Sequence, residues 1–117
     1  MQGRPLPFIE RTMIHAVAIF RTKPELRDQA LEAFRALSRD VLNESGCLEY
    51  AVTVDAQGLR PSKGRLGEDA IAIVEKWESL PAFQAHMQAA HMLEFSATAK
   101  DYFVGRIVHV LQTESNR

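Results

Sequence analysis

The order in which the apolar periodicity changes along the chain constrains its fold more than any other feature. Four segments carry the alternating or continuous apolar pattern of strands, and two carry apolar residues three and four positions apart, which is typical of amphipathic helices. The strand-like segments are residues 13–20, 48–54, 70–77 and 104–111, and the helix-like segments are residues 26–41 and 80–102. This β-α-β-β-α-β order predicts an α+β, ferredoxin-like fold: a four-stranded antiparallel sheet with its helices on one face.

The first and last predicted strands are apolar on both faces. The first places Ile14 and Ala16 on one face and Val17 and Ile19 on the other, and residues 104–111 repeat this two-sided pattern. An antiparallel sheet that is open to water on one side normally shows a polar face there. A symmetric pair of chains can bury such a face with one self-complementary surface. The pattern therefore predicts a homodimer.

The composition excludes several classes of partner. The chain has 117 residues, enough for one domain, and its 14 basic and 15 acidic side chains give a net charge of -1 without a basic run. We therefore expect no nucleic acid and no membrane as a partner, and no segment approaches the about 18 apolar residues of a membrane-spanning helix. The single cysteine, Cys47, excludes an intrachain disulfide and favours a reducing compartment, so we expect a cytoplasmic protein.

The domain boundaries follow from local composition. Residues 1–12 are polar and proline-containing, which predicts a flexible N-terminal extension, whereas residues 13–112 form the predicted folded domain and residues 113–117 a polar tail. The segment 55–69, with Arg60, Lys63 and Arg65, is rich in glycine and charge. We expect it to be a solvated loop, and a hairpin that covers the pocket mouth or a partner chain is the alternative.

The junction between the third strand and the second helical segment concentrates functional groups. Ser79 is placed to cap the first free N–H groups of a helix, with Pro81 in the first turn, where no N–H is needed. The strand therefore passes directly into a helix. The residues around this junction with the chemistry of a pocket wall are a carboxylate, three aromatic rings and two imidazoles: Glu75, Trp77, Phe83, His86, His91 and Phe95.

Two motifs carry a family resemblance. The sequence E-S-G-C-L-E-Y at residues 44–50 and the pattern E-x-W-x-S-x-x-A-F-x-x-H-x-x-x-x-H-x-x-x-F at residues 75–95 resemble the antibiotic biosynthesis monooxygenase domain family, in particular its quinol-monooxygenase-type members. The resemblance spans residues 13–111. It implies a dimeric α+β barrel with a pocket between sheet and helices in each subunit. It also implies oxidation of quinols or polyketide phenols by O2 without metal or flavin.

The chemistry of such a reaction assigns roles to the residues. A phenol or quinol becomes reactive toward O2 once it is deprotonated, so the protein needs a base, an apolar slot and exclusion of water, and no cofactor. His86 and His91 are the candidate bases, because an imidazole titrates near neutral pH. Tyr50 or Glu75 is placed to orient the substrate, a small aromatic or hydrophobic molecule. The predicted slot walls are Phe20, Trp77, Phe83 and Phe95.

Each candidate has a structural interpretation as well. The two histidines are common surface or capping residues on helices, Trp77 fits a core position, and Tyr50 continues an apolar alternation. Glu75 is explained equally by an ion pair near the sheet edge. Of the two histidines we expect only one to matter, and His86 is the nearer to Trp77.

Other functions are disfavoured. His86 and His91 are five positions apart, roughly 140° around an unbroken helix, and no third ligand is evident, so no metal site is expected. No glycine-rich phosphate loop or dinucleotide fingerprint is present. The pattern of the haem-degrading branch of the superfamily implies a Trp, a His and an Asn where this chain has His86, Ser96 and Val17. The remaining alternative to a monooxygenase is a non-catalytic dimeric module that binds a small hydrophobic ligand, such as a stress-response or pathway accessory protein.

Overall fold

The computed structural model describes residues 12–58 and 64–114. Four strands form one antiparallel sheet in the order β2-β3-β1-β4, which confirms the predicted ferredoxin-like fold. The strands are β1 (Ile14–Thr22), β2 (Cys47–Thr53), β3 (Ala70–Trp77) and β4 (Phe103–Gln112). The helices are α1 (Arg27–Leu42), α2 (Leu80–Met87) and α3 (Ala90–Ala99), and a 3-10 turn (Lys100–Tyr102) leads into β4.

Helix α1 packs one apolar stripe on the sheet. Its buried residues, Ala30, Phe34, Leu37 and Val41, recur at intervals of three and four, as the sequence predicted. The opposite side is charged and carries an exposed ion pair between Glu32 and Arg35. The buried stripe is the larger contribution to stability, because exposed ion pairs contribute little. The helix therefore forms the back of the core.

Strand β2 contains an irregularity that the alternation did not predict. The pairing register with β3 shifts between Cys47 and Glu49, so Leu48 is an extra residue in the strand. Leu48 is 51% exposed as a result, whereas Tyr50 is buried. The regular alternation expected over residues 48–54 is therefore broken at Leu48, because a bulge shifts it by one residue.

The second helical segment is broken into two helices. Helix α2 begins as predicted, with the Ser79 hydroxyl accepting the Ala82 N–H at 3.2 Å and a proline in the first turn. It ends at Met87, and Ala89 takes an extended conformation before α3 begins. The expected single helical segment 80–102 is therefore two short helices separated by Gln88 and Ala89, followed by the 3-10 turn.

Among the described residues, the helices cover one face of the sheet and leave the other uncovered. Ile14, Ala16 and Ala18 face the helices and are buried. The alternate residues of β1 lie on the other face. There Val17 pairs with Val74 of β3, and Ile19 pairs with Ile107 of β4. Ile107 is 60% exposed. The second apolar face predicted from the sequence is therefore present.

The loop after β2 is described only in part. The Asp55 carboxylate accepts the backbone N–H groups of Leu66 and Gly67, both at 2.9 Å, and these hydrogen bonds lower the pKa of Asp55. Arg60 and Lys63 lie outside the described residues. Of the expected N-terminal extension only Thr12 is described, and of the expected tail only the first two residues are described. Within the part of the chain that the structure describes, no helix is long and apolar enough to cross a membrane.

Candidate active site

A cavity of about 390 Å³ lies between the sheet and the helices α2 and α3. This volume is in the range of small-molecule sites. Most of its wall is apolar and aromatic, with the rings of Phe20, Phe34, Phe83, Phe95 and Phe103. The edge strand β4 contributes Gly105, Arg106 and Val108, all of them exposed, so the cavity opens to solvent along β4.

The aromatic rings form a continuous surface. The Phe34 ring centroid lies 4.9 Å from that of Phe20, 4.8 Å from that of Phe95 and 5.8 Å from that of Phe103. Such edge-on and tilted arrangements are favourable for phenyl rings. Phe83 and Phe95, both predicted as slot walls, line the cavity. The cavity is therefore suited to a flat aromatic ligand.

Three of the polar side chains that line the cavity come from three different elements. Tyr50 on β2 and Glu75 on β3 are direct cross-strand neighbours, and His86 on α2 lies above them. The distance between His86 Nε2 and Glu75 Oε1 is 3.6 Å, and the Tyr50 and His86 ring centroids are 6.0 Å apart. The structure thus brings together three of the residues singled out in the sequence.

The His86 imidazole is buried and contacts Trp77, Glu44 and Glu75. It is 1% exposed, and its ring lies against the indole of Trp77 with the centroids 4.5 Å apart. Its Nδ1 atom is 3.0 Å from Glu44 Oε2. Glu44 does not line the cavity, whereas Glu75, on the other side of the ring, does. The Nε2 edge of the imidazole therefore faces the cavity side and the Nδ1 edge faces away from it.

His91 contacts the same carboxylate oxygen from the other helix. Its Nε2 atom lies 2.5 Å from Glu44 Oε2, and His91 does not line the cavity. On an unbroken helix the two histidines would diverge, but the break between α2 and α3 turns both imidazoles toward Glu44. The structure therefore separates the two candidate bases, with His86 at the cavity and His91 behind it.

Trp77 lies behind the cavity wall and is fully buried. It is absent from the cavity lining, and its indole N–H donates to Glu75 Oε1 at 3.0 Å. This position matches the core interpretation of Trp77 given above. Trp77 holds the Glu75 carboxylate and the His86 ring in place and does not itself meet a ligand in the cavity.

Burial controls the ionisation of the polar residues in the cavity. Desolvation raises the pKa of Glu75, although the hydrogen bond from Trp77 and the nearby His86 oppose this shift. Burial, together with the charges of Glu75 and Glu44, raises the pKa of Tyr50. Tyr50 therefore presents a neutral hydroxyl at neutral pH. That hydroxyl has no hydrogen-bond partner among the described residues, so it is free to bind a ligand.

Some residues of the site were not predicted. Glu44 received no role, although it opens the motif at residues 44–50; its position after a helix was the only available signal. Lys100 and Arg106 line the open side of the cavity. Arg106 is a charged residue among the apolar residues of β4, and this position is the sequence signal that it faces a site and not the core. No cluster of three or more histidine, cysteine, aspartate or glutamate side chains suited to a metal ion occurs in residues 12–58 and 64–114.

Comparison with known proteins places this fold and site in a family. The sequence model of the family described as "Antibiotic biosynthesis monooxygenase" matches residues 13–98. The Escherichia coli K12 protein named "Probable quinol monooxygenase YgiN" is 34% identical over 103 residues, which cover 86% of this chain and 97% of that protein. A Shigella flexneri protein of the same name matches equally well.

Solved structures agree with the fold. A conserved protein from Methanosarcina mazei superposes with a TM-score of 0.75 at 18% identity, covering 92% of this chain and 98% of its own. A protein from Shewanella oneidensis also gives 0.75, at 21% identity and with coverage of 90% and 94%. At these identities the likeness shows the fold alone. Together with the sequence matches, it leads to one conclusion: the chain belongs to the antibiotic biosynthesis monooxygenase family.

Proposed function

We propose that this protein is a cofactor-independent monooxygenase that oxidises a quinol-like or polycyclic phenolic molecule with O2. Membership of a monooxygenase family and the name of the E. coli relative support the reaction class. The observation that carries the proposal is the position of His86: a buried imidazole, fixed by a carboxylate, at the edge of an aromatic cavity. A phenolic ring in this cavity would bring its hydroxyl to a base and to the free Tyr50 hydroxyl.

The proposed reaction begins with proton transfer. The substrate hydroxyl gives its proton to His86 Nε2, and the carboxylates of Glu44 and Glu75 stabilise the resulting imidazolium. The phenolate, held between the aromatic walls of the cavity, transfers an electron to O2, and the two radicals combine. One oxygen atom enters the ring and the other leaves as water, because the substrate itself supplies the electrons. The product is a quinone with one more oxygen atom than the substrate.

We further propose that the protein is a homodimer that acts in the cytoplasm. The uncovered apolar face of the sheet supports the dimer, since a second copy of the same face would cover it. The net charge of -1 supports a small molecule as the partner in preference to nucleic acid or a membrane.

Oxygen consumption tests the proposed activity. Reduced menadione and a dihydroxyanthracene are the probes, each measured with and without protein. We expect protein-dependent O2 uptake, and we expect His86→Gln to lower the rate about 10²–10⁴-fold, as loss of a general base does. His15→Gln is the matched control for loss of an imidazole, because this residue lies on the other face of the sheet and contacts Thr113. Since that face is the proposed dimer interface, light scattering of this variant checks that its oligomeric state is that of the wild type.

Two outcomes contradict the proposal. If wild-type protein is thermally stabilised by the probes without faster O2 uptake, the protein is a ligand-binding module. If O2 uptake is fast but His86→Gln retains the full rate, the cavity promotes oxidation by desolvation alone and the assigned base is wrong.

A further inference from the structure

We propose that Glu44 is a positioning residue that fixes the tautomer of His86, so that the hydrogen sits on Nδ1 and the Nε2 lone pair faces the cavity. The catalytic consequence rests on the proposed function, whereas the tautomer itself does not. An imidazole with its hydrogen on Nε2 has no lone pair there and cannot accept a substrate proton at that atom.

The contacts of the two ring nitrogens differ in a way that selects one tautomer. An ionised carboxylate only accepts hydrogen bonds, so the nitrogen that contacts Glu44 Oε2 at 3.0 Å carries the hydrogen. Nε2 is 3.6 Å from Glu75 Oε1, which is beyond normal hydrogen-bond distance. That Glu75 oxygen already accepts the indole N–H of Trp77 at 3.0 Å. Glu75 therefore competes weakly for the imidazole hydrogen.

Glu44 is itself oriented by its surroundings. It lies in the turn after α1 and is mostly buried. The Oε2 atom that contacts His86 also contacts His91 Nε2 at 2.5 Å, so donors from two helices converge on one oxygen. This convergence keeps the carboxylate against the Nδ1 edge of His86. Of the ionisable side chains around His86, Glu44 is on the Nδ1 side, and Glu75 and Tyr50 are on the cavity side.

The alternative role for Glu44 is purely structural. Glu44 contacts His86 on α2 and His91 on α3, and it therefore also links the two helices across the break between them. A structural role would affect stability and the substrate KM but would leave the hydrogen on the same nitrogen of His86. The tautomer is therefore the measurement that separates the two roles.

The test uses histidine labelled with ¹⁵N in the intact protein without substrate, above pH 8, where an ordinary imidazole is neutral. We expect the wild-type ¹⁵N shifts to show hydrogen on Nδ1 of His86. Glu44→Ala removes the acceptor, and we expect the hydrogen to move to Nε2, toward Glu75. Glu44→Met, which preserves more of the side-chain volume, gives the same test if the alanine variant does not fold. Glu94→Gln, at an exposed position of α3, controls for the lost charge.

Kinetics with reduced menadione complete the test. For Glu44→Ala or Glu44→Met we expect kcat to fall about 10²–10⁴-fold with KM little changed, as for loss of the base itself. Glu44→Gln keeps an oxygen acceptor, so we expect it to keep the Nδ1 tautomer and more of the activity than Glu44→Ala.

The outcomes decide between the roles. If the hydrogen stays on Nδ1 after Glu44 is replaced by alanine or methionine, the proposal is wrong and Glu44 is a structural clamp. If the tautomer moves but kcat does not change, Glu44 does not position a catalytic base. If wild-type protein oxidises no quinol, the proposed function fails on its own, and the ¹⁵N shifts still decide what Glu44 does to His86.

Discussion

Glu75 is a buried side chain that can ionise. It is 6% exposed, lines the cavity and accepts a hydrogen bond from Trp77. Burial raises its pKa because the ionised carboxylate loses water contacts that one indole N–H and a neighbouring imidazole replace only in part. Glu75 is therefore a carboxyl group whose ionisation is linked to the stability of the fold.

The sign of this linkage gives a prediction. A carboxyl group whose folded-state pKa is raised binds protons more tightly in the folded than in the unfolded protein. Stability therefore falls as pH rises from the ordinary glutamate pKa, about 4.3, through the raised value, by about 1.4 kcal/mol for each tenfold difference in proton affinity. We expect wild type to lose stability relative to Glu75→Gln as pH rises from 4 toward neutrality, as measured by urea unfolding across that range.

A matched variant makes this measurement specific. Glu94→Gln removes an exposed carboxylate from α3 and corrects for the change in net charge. A difference between wild type and Glu75→Gln that stays constant with pH would show that Glu75 has the same proton affinity in both states.

The sequence predicted six of the residues that line the cavity, Phe20, Tyr50, Glu75, Phe83, His86 and Phe95, but not how they are connected. Tyr50, Glu75 and His86 were identified because polar groups and an imidazole stand out beside apolar patterns. Glu44 was missed because it meets His86 42 residues later in the chain, and no local pattern reports such a contact. Trp77 was assigned to the slot wall because an amphipathic ring at a strand end fits either a wall or a core, and only tertiary packing decides between them.

At the level of elements, the turn between α1 and β2 packs closely against the start of α2. Gly46 in this turn has a φ of 84°, and its carbonyl accepts the Glu78 N–H at 2.9 Å. A Cβ atom at Gly46 would lie 2.7 Å from the Ala82 Cβ. Glycine is therefore required here both for the backbone conformation and for the close approach of α2.

The two requirements can be separated by comparing Gly46→Ala with Gly58→Ala, because only the first substitution also meets a close neighbour. Gly58 also has a positive φ, 86°, but nothing lies within 4 Å of a Cβ built there. We expect Gly58→Ala to cost about 1–2 kcal/mol of unfolding free energy from the backbone alone. Gly46→Ala should cost about 1–3 kcal/mol more from overlap with Ala82. Equal losses in denaturant unfolding would contradict the close approach described for Gly46.

The elements differ in how well the sequence predicts them. Strand β3 has the predicted bounds because its apolar run ends at a capping serine. The sequence does not require the break before α3, since Gln88 and the alanines that follow are compatible with a continuous helix. The break depends on tertiary contacts: both histidines contact Glu44, and an unbroken helix would point them in different directions.

At the scale of the whole molecule, the uncovered face of the sheet determines how the chain associates. If two such faces pack together, the particle has a mass near twice 13.2 kDa and stays dimeric on dilution, because obligate interfaces bury roughly 2,000 Å² or more. We expect light scattering to give this mass at micromolar concentration. A stable monomer would exclude the dimeric barrel.

A pair of substitutions locates the interface. Ile107 is 60% exposed on the uncovered face, and Leu93 is 62% exposed on α3. We expect Ile107→Asp to produce monomers, because it places a charge in the contact between sheets. Leu93→Asp, at an equally exposed position, should leave the dimer intact. Dissociation by Leu93→Asp instead would place the interface on the helices.

The break between α2 and α3 also affects how a ligand reaches the cavity. These helices have 8 and 10 residues, and helices shorter than about 12–15 residues are marginal in water on their own. They persist because they pack on the sheet, so local opening of this layer costs less free energy than unfolding the strands. The helices can therefore fluctuate away from the sheet while the strands stay paired, and such local opening would widen the entrance that the cavity already has along β4.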